Sequence, residues 1–225
     1  MTVDAPPAPL LADPVTRILE LIARRPQPRL VLGLIGLPGA GKSTLGHRLA
    51  QAVNIRLGSL RMQTLGMDGF HRTRAALAQF PDPAHAVRRR GAPWTFDATG
   101  LADRVRQLRD AARAPAPLAV AWPGFEHGAG DPVEDAVIVG PDIRVVLVEG
   151  LYLLHQADGW NLDGLLDECW YLDVDLETAM ERLIARHMSS WAMGRDQALA
   201  KVAANDRLNA QTVAQGSRRA DWRVG

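Results

Sequence analysis

The chain has 225 residues, 47% of them hydrophobic and 23% charged, a balance that is typical of one globular domain with a sizeable core. Lysine and arginine together number 26 against 25 aspartate and glutamate residues, a net charge of +1, which argues against binding of nucleic acid through bulk positive charge. The single cysteine, Cys169, excludes a disulfide framework and a cysteine-based metal site, and we expect a buried thiol there.

The N-terminal segment is rich in proline. Residues 1–13 contain three prolines, and we expect a flexible tail there, followed by a single domain over 14–225. The tail has no basic segment before an apolar core and therefore differs from a secretory signal. The longest apolar run, Leu30–Leu37, is too short to span a bilayer. We expect a cytoplasmic protein that does not bind membranes.

Apolar runs alternate with helical patterns along the rest of the chain. The first helix is predicted from Pro14 to Arg25. Further helices are predicted at 42–53, 98–112, 176–188 and 197–215, and strands at 29–36, up to Asp68, at 117–125, 142–150 and 168–174, with a small edge hairpin around 135–139. Strands that alternate with helices predict an α/β fold with a parallel sheet covered on both faces.

The stretch GLIGLPGAGKSTL, Gly33–Leu45, places four glycines between a predicted strand and a predicted helix. Gly36–Ser43 fits the P-loop pattern G-x-x-x-x-G-K-[ST] without a mismatch, in the structural context that the pattern requires. Backbone N–H groups of such a loop surround phosphate oxygens, and the N-terminus of the following helix favours negative charge. A nucleotide-phosphate site is therefore predicted, in preference to a glycine-rich turn that carries a lysine by chance.

Each residue of this loop has a predicted task. Lys42 reaches the β- and γ-phosphates, the Ser43 hydroxyl holds Mg²⁺, and Thr44 makes a second phosphate contact. The remaining nucleotide-binding positions are Gly36, Gly39, Ala40 and Gly41.

Two carboxylates lie where predicted strands end. Ligands of open α/β sheets bind beyond the carboxyl ends of the strands. Glu149, at the end of VVLVEG, is thus placed to hold Mg²⁺ or its water. Asp68, in MDGFH, is placed to accept a proton from a substrate hydroxyl. A turn or helix cap is the alternative for Asp68 and, less strongly, for Glu149.

The ordered series GLPGAGKST, MDGFH, RRRGAPWTFD, VVLVEGLYLL and RLIARH resembles the P-loop small-molecule kinases of the phosphoribulokinase, uridine kinase and pantothenate kinase group. The resemblance runs from about Leu30 to Asn209, and the compact length is similar to a branch labelled fructose-transport-system kinase or nucleoside/nucleotide kinase-like. It implies a three-layer sandwich with a parallel sheet and a helical lid at about 177–195, and an ATP-dependent phosphotransferase.

The resemblance also implies roles for individual residues. Asp68 is the catalytic base, and Lys42, Ser43 and Glu149 handle phosphate and magnesium. Arg182 and Arg186 match the basic lid helix that closes over ATP in these enzymes.

The acceptor site is indicated less sharply. His71 either binds substrate or lies on the surface, and the sequence leaves both open. Of the arginines at 88–90, we expect one to face the substrate and take Arg90 as the candidate, followed by a substrate pocket at Trp94, Phe96 and Asp97. The cluster Asn205, Asp206 and Asn209 either lies by the adenine or hydrogen-bonds a turn, and the second is favoured.

The predicted reaction is transfer of the γ-phosphoryl group of MgATP to a hydroxyl of a sugar, a pantothenate-like compound or a nucleoside. A non-catalytic nucleotide-binding regulator of a transport system and a hydrolytic P-loop ATPase are the alternatives. The expected partner is a small-molecule substrate. The sequence leaves open whether the chain forms a homodimer, whether ATP is preferred to GTP, and which metabolite accepts the phosphoryl group.

Overall fold

The computed structural model describes residues 9–125 and 130–225. Its strands, in chain order, are β1 (Leu30–Gly36), β2 (Met62–Gly66), β3 (Val120–Phe125), β4 (Pro132–Val139), β5 (Val145–Gly150), β6 (Glu168–Leu172) and β7 (Trp222–Val224). Five of them form a sheet in the order β2-β5-β1-β6-β7, in which every neighbouring pair is parallel. The predicted α/β fold with a parallel sheet is confirmed.

Helices cover both faces of this sheet. In chain order they are α1 (Pro9–Arg24), α2 (Lys42–Leu57), α3 (Arg74–Leu77), α4 (Pro83–Arg88), α5 (Ala98–Arg113), α6 (Leu176–Trp191), α7 (Arg195–Lys201) and α8 (Arg207–Gly216). Short 3-10 turns lie at Met67–Phe70, Pro93–Thr95 and Ser217–Arg219, and a π-helical turn at Val202–Asp206 joins α7 to α8. In the described part of the chain, no helix combines the length and the apolar character that a membrane crossing requires.

The core is divided by the sheet into two clusters. β1 is buried along its whole length, and its side chains alternate between the two faces. Val31 and Ile35 pack with residues of α5, α6 and α8, whereas Leu30, Leu32 and Leu34 pack with residues of α1 and α2. This arrangement explains why β1 is a continuous apolar run rather than an alternating one.

The N-terminal helix begins earlier than predicted. α1 starts at Pro9, and Pro14 lies inside it; residues 1–8 of the expected tail lie outside the described residues. Proline is favoured at the first helical position, which is why Pro14 was a reasonable predicted start. A proline within a helix removes one backbone hydrogen bond, and the helix continues through it here.

Three other features differ from prediction: the end of β2, the continuity of one helix and the presence of β7. β2 ends at Gly66, and Asp68 belongs to the 3-10 turn that follows. The predicted helix at 197–215 is divided into α7, the π-helical turn and α8. The edge strand β7 was not predicted, because three residues are too few for a detectable period.

The predicted hairpin is present as a separate antiparallel pair, in which β3 and β4 form a two-stranded sheet. It packs on the 3-10 turn after β2: the Trp122 indole donates a hydrogen bond to the Gly66 carbonyl over 2.9 Å. The hairpin thus braces the turn that carries Asp68.

Candidate functional site

The P-loop connects β1 to α2. Gly39 and Gly41 have φ angles of 81° and 96°, a left-handed conformation that glycine adopts without steric cost. A Cβ atom on Gly39 would also clash with the backbone carbonyl of Ala179 in α6. The loop therefore requires glycine at these positions and packs directly on α6.

Lys42, the first residue of α2, is buried beneath the loop. Its ammonium group donates hydrogen bonds to the carbonyl oxygens of Gly36 and Leu37, over 3.0 and 3.1 Å. Burial lowers the pKa of Lys42, and the nearby carboxylates of Glu149 and Asp68 oppose that shift. The structure thus brings the predicted phosphate-binding lysine close to both predicted carboxylates.

Ser43 and Glu149 form the second part of the site. The Ser43 hydroxyl donates a hydrogen bond of 2.7 Å to Glu149 Oε1, and Glu149 pairs in register with Leu34 of β1 and Gly66 of β2. Burial raises the pKa of Glu149, against the effect of Lys42. A hydroxyl and a half-buried carboxylate are oxygen ligands that suit Mg²⁺, and a bound cation would relieve the desolvation of the carboxylate. The residues present therefore fit a magnesium site.

Asp68 is held by its backbone while its side chain stays accessible. Its carboxylate is 49% exposed, but a Cβ on the following residue, Gly69, would clash with the backbone carbonyl of Pro123 in β3. On the other side of Asp68, the sulfur of Met67 accepts a hydrogen bond of 3.3 Å from the Leu151 backbone N–H. Because the turn is packed between the hairpin and the end of β5, Asp68 has little freedom to move.

One cavity of about 820 Å³ brings most of the predicted residues together. What we call the P-loop wall is lined by Gly39, Gly41, Lys42, Ser43, Thr44, Glu149, Arg182 and Arg186. The distal wall is lined by His71, Arg74, Leu77, Val87, Arg88, Arg90, Phe96, Phe125, Asn205 and Asn209. Asp68 lines the same cavity. This volume has room for a nucleotide together with a small second ligand.

The predicted lid arginines lie on α6 and face this cavity. Arg182 donates a 3.3 Å hydrogen bond to the Ala40 carbonyl of the P-loop, and the charge of Arg186 contributes to the lowered pKa of Lys42. Glu177, an acidic residue in the first turn of the same helix, instead accepts a hydrogen bond from Arg207 over 2.8 Å. Both arginines are thus turned toward the P-loop rather than toward Glu177.

His71 and Phe96 lie in the distal wall, as the predicted substrate pocket requires. The His71 ring lies between Phe96 and Phe125, with ring centroids 4.0 and 4.7 Å away. One of its ring nitrogens, Nδ1, is 2.8 Å from the backbone carbonyl of Asp68. His71 is therefore a wall residue of the cavity, next to the predicted base, and not a surface histidine.

The arginines at 88–90 contact both the cavity and the rest of the protein. Arg90 lines the cavity, but its guanidinium donates hydrogen bonds to the Arg72 carbonyl and to Asp131, both at 2.9 Å, and to the Gly130 carbonyl. Arg89 is turned to α8 and the π-helical turn. Arg88 lines the cavity as well. Arg90 thus lies in the cavity wall as expected, while its guanidinium group also binds three protein acceptors; a contact between Arg90 and the substrate stays a prediction.

Two predicted substrate residues lie outside the cavity lining. Trp94 packs against Phe80 and His85, each with a centroid separation of 5.7 Å. Asp97 caps α5, because its carboxylate accepts a 3.0 Å hydrogen bond from the Gly100 backbone N–H. The turn Pro93–Thr95 directs Trp94 toward α4 and leaves Phe96 to line the cavity.

The cluster near the C-terminus contacts the distal wall. Asn205 is buried, donates to the Arg90 carbonyl over 2.9 Å and accepts from Arg89 over 2.6 Å. Asp206 Oδ2 is 3.0 Å from Nε2 of the buried His187 on α6. The hydrogen bond from Asn205 to the turn at Arg90 agrees with the favoured interpretation, and because Asn205, Asp206 and Asn209 also line the cavity, a contact with the adenine stays a prediction. These residues join the arginine run to α6 through a π-helical turn, a feature that is frequent at functional sites.

Two wall residues, Arg74 and Arg88, carried no assigned role in the sequence prediction. Arg74 is the first residue of α3 and Arg88 the last residue of α4. Arg74 belongs to no motif, and Arg88 belongs to the run 88–90, from which Arg90 was taken as the candidate; their placement depends on how two short helices pack beside the hairpin.

Comparisons with known proteins agree with this geometry. No family model matches the chain. It is 43% identical over 150 residues to the ATP-dependent kinase-like protein notR' of Aspergillus versicolor, across 65% of this chain and 86% of that protein. It is 36% identical over 211 residues, 93% of this chain and 87% of the relative, to a Schizosaccharomyces pombe protein provisionally named uridine kinase.

A solved structure has a similar fold along nearly the whole chain. It is the crystal structure of a protein from Silicibacter sp. TM1040 that is provisionally named fructose transport system kinase. The TM-score is 0.82 at 32% identity, over 95% of this chain and 98% of that one. The likeness therefore extends over nearly the whole fold.

Proposed function

The chain belongs to the P-loop kinases related to these proteins, and from this premise we propose that it transfers the γ-phosphoryl group of ATP to a hydroxyl of a small metabolite. The observation that carries the proposal is the position of Asp68 in the cavity. Its accessible carboxylate lines the same cavity as Lys42 and the Ser43–Glu149 pair. A protein that only binds a nucleotide has no need for such a base.

In the proposed reaction the acceptor oxygen attacks the γ-phosphorus of ATP. The new oxygen–phosphorus bond forms while the bond from the γ-phosphorus to the bridging oxygen breaks, and that electron pair leaves with ADP. The proton of the acceptor hydroxyl passes to the Asp68 carboxylate. Catalysis consists mainly of positioning and charge stabilisation, as is general for phosphoryl transfer.

The P-loop wall supplies the stabilising charges. Lys42 neutralises charge on the β- and γ-phosphates, and Arg182 and Arg186 do so from α6 as it closes over the nucleotide. We propose α6, with the segment to about residue 195, as the lid. Ser43 and Glu149 would hold Mg²⁺, which neutralises phosphate charge when it is bound.

The test is ADP release by the purified protein with MgATP, measured with and without candidate acceptors that include pantothenate, nucleosides, sugars and D-glycerate. We expect ADP release to depend on one class of acceptor and to fall in Asp68→Asn. Acceptor-independent ADP release would indicate a hydrolytic ATPase. ATP binding without turnover for any acceptor would indicate a nucleotide-binding regulator.

A further inference from the structure

Two guanidinium groups in the distal wall, those of Arg74 and Arg88, have no partner among the residues that the structure describes. Arg74 and Arg88 line the cavity, and within residues 9–125 and 130–225 neither side chain has a hydrogen bond or ion pair. The adjacent arginines are different, since Arg89 is hydrogen-bonded to Asn205 and Arg90 to Asp131. Among the described arginines that line the distal wall, Arg74 and Arg88 are therefore the two whose guanidinium groups are not bound by the protein.

The negative charges of the cavity do not neutralise these two arginines. Among the described residues, the acidic side chains of the lining are Asp68, Glu149 and Asp206. Glu149 accepts from Ser43 and Asp206 contacts His187, while Asp68 is reserved for the acceptor hydroxyl in the proposed reaction. A bound Mg²⁺ would neutralise part of the triphosphate charge, and Lys42, Arg182 and Arg186 lie in the P-loop wall to meet the remainder. Positive charge is left over at the distal wall.

The rest of the distal wall suits a small ligand with a short carbon skeleton. Phe96 and Phe125 present aromatic surface, and Leu77 and Val87 present aliphatic surface. A neutral nucleoside or free sugar would use the apolar surface but would leave both guanidinium groups unpaired. A ligand with one anionic group would use both features.

We propose that the acceptor is an anionic metabolite, whose carboxylate or phosphomonoester group is bound by Arg74 and Arg88 while its hydroxyl lies at Asp68. This inference rests on the proposed kinase function and names the class of its acceptor. Guanidinium groups bind carboxylate and phosphate oxygens in a planar, bidentate geometry. Two of them from different helices would orient the acceptor as well as retain it.

The test compares acceptors that differ in one charged group. Pantothenate is paired with pantothenol, glycerate with glycerol, and ribulose 5-phosphate with ribulose. ADP release gives kcat and KM for each compound. A thermal-shift measurement with a non-hydrolysable ATP analogue reports binding without turnover. We expect an anionic member to be used in preference to its neutral partner, and the preferred pair to distinguish a carboxylate from a phosphomonoester.

The variants Arg74→Gln and Arg88→Gln should each raise KM for the anionic acceptor by about tenfold, because each variant loses one charge-assisted hydrogen bond to the anionic group. KM for ATP should not change. The Lys variants should retain part of the affinity, since charge remains but the planar fork is lost. Arg113→Gln is the matched control, because Arg113 ends α5 as Arg88 ends α4 and lies outside the cavity lining.

The outcomes separate this inference from the proposed function. If neutral acceptors are phosphorylated as well as the anionic ones, or if both Gln variants match the Arg113 control, the anionic subsite is wrong and the kinase stands. If no compound yields acceptor-dependent ADP but anions still stabilise the wild-type protein more than the Gln variants, the subsite stands and the proposed reaction fails. If no anion binds better than its neutral partner, the inference is overturned.

Discussion

The two walls of the cavity are built in different ways. The P-loop wall comes mainly from one continuous segment, Gly36–Thr44, together with the end of β5 and one face of α6. The distal wall is assembled from α3, α4, the hairpin and the π-helical turn, which are far apart in the chain. Its parts are joined by side-chain hydrogen bonds such as Arg90 to Asp131 and Asn205 to the Arg90 carbonyl.

This difference separates what is general in the site from what is specific. Backbone N–H groups and a lysine suffice for a nucleotide phosphate, and they can be encoded in a short motif. Selection of an acceptor needs side chains from several elements, placed by packing. Substitutions in the P-loop wall, in the turn that carries Asp68 and in the lid should therefore differ in the size of their effect on turnover.

The largest effect is expected for Asp68→Asn, which preserves the shape of the side chain but cannot accept a proton. We expect kcat to fall about 10²–10⁴-fold, with ATP affinity near that of the wild type. Measurement of kcat and of ATP binding by titration checks this, with Asp142→Asn, an exposed carboxylate away from the cavity, as the control. If ATP binding collapses and turnover per bound ATP does not, Asp68 is a magnesium or structural residue.

Lys42→Ala removes the buried cation from the P-loop wall. We expect turnover to fall about 10²–10³-fold, as for the loss of one group that stabilises transition-state charge, while the fold survives. The rate at saturating MgATP checks the loss of turnover, and the circular dichroism spectrum checks that the fold survives. An unchanged rate would exclude the phosphate role.

Gly69→Ala tests the support of Asp68 without touching its carboxylate. The new Cβ would meet the Pro123 carbonyl, so the turn must shift, and a displacement of the base by about 1 Å can cost roughly 10²-fold in rate. ATP affinity should change little. Gly140→Ala is the control, because nothing lies within 4 Å of a Cβ at that position. Equal kcat for both variants would show that the hairpin does not position Asp68.

Arg182→Lys and Arg186→Lys test the lid. Because guanidinium contacts strengthen as charge spreads over the γ-oxygens, their loss should lower kcat by about tenfold and affect ATP affinity less. Comparison of kcat with the thermal midpoint, alongside Arg48→Lys on α2, checks this. If both variants keep full activity, or if kcat falls only in proportion to the thermal midpoint, α6 is an ordinary surface helix and not a lid.

The smallest effect concerns the ligand-free protein and Glu149. Burial raises the pKa of this carboxyl, so the folded state binds the proton more tightly than the unfolded state. The free energy of unfolding should therefore fall as pH rises through the interval between the ordinary pKa of glutamate and the raised pKa of Glu149. Glu149→Gln should lack this component, with Tm changing by roughly 2–4 °C for each kcal/mol. Tm profiles that remain parallel across this interval, with Glu134→Gln as control, would contradict the assignment.

The sequence predicted most of the P-loop wall and less of the distal wall. The glycines at 39 and 41, Lys42 and Ser43 follow from local backbone geometry, and Glu149 follows from its position at a strand end. Trp94 and Asp97 lie outside the cavity lining because Trp94 packs against Phe80 and His85 and Asp97 caps α5. Arg74 and Arg88 could not be chosen from the sequence, since exposed arginines look alike until the packing of α3 and α4 is known.

The central claim is that the γ-phosphoryl group moves to a metabolite hydroxyl and not to water. The most direct measurement follows γ-³²P-labelled ATP during turnover with the acceptor found in the ADP-release screen, in the wild type and in Asp68→Asn. The account predicts that wild-type protein transfers the label to the acceptor, and that the variant loses this product. Label that appears only as inorganic phosphate, or that stays in ATP with every acceptor, would contradict it.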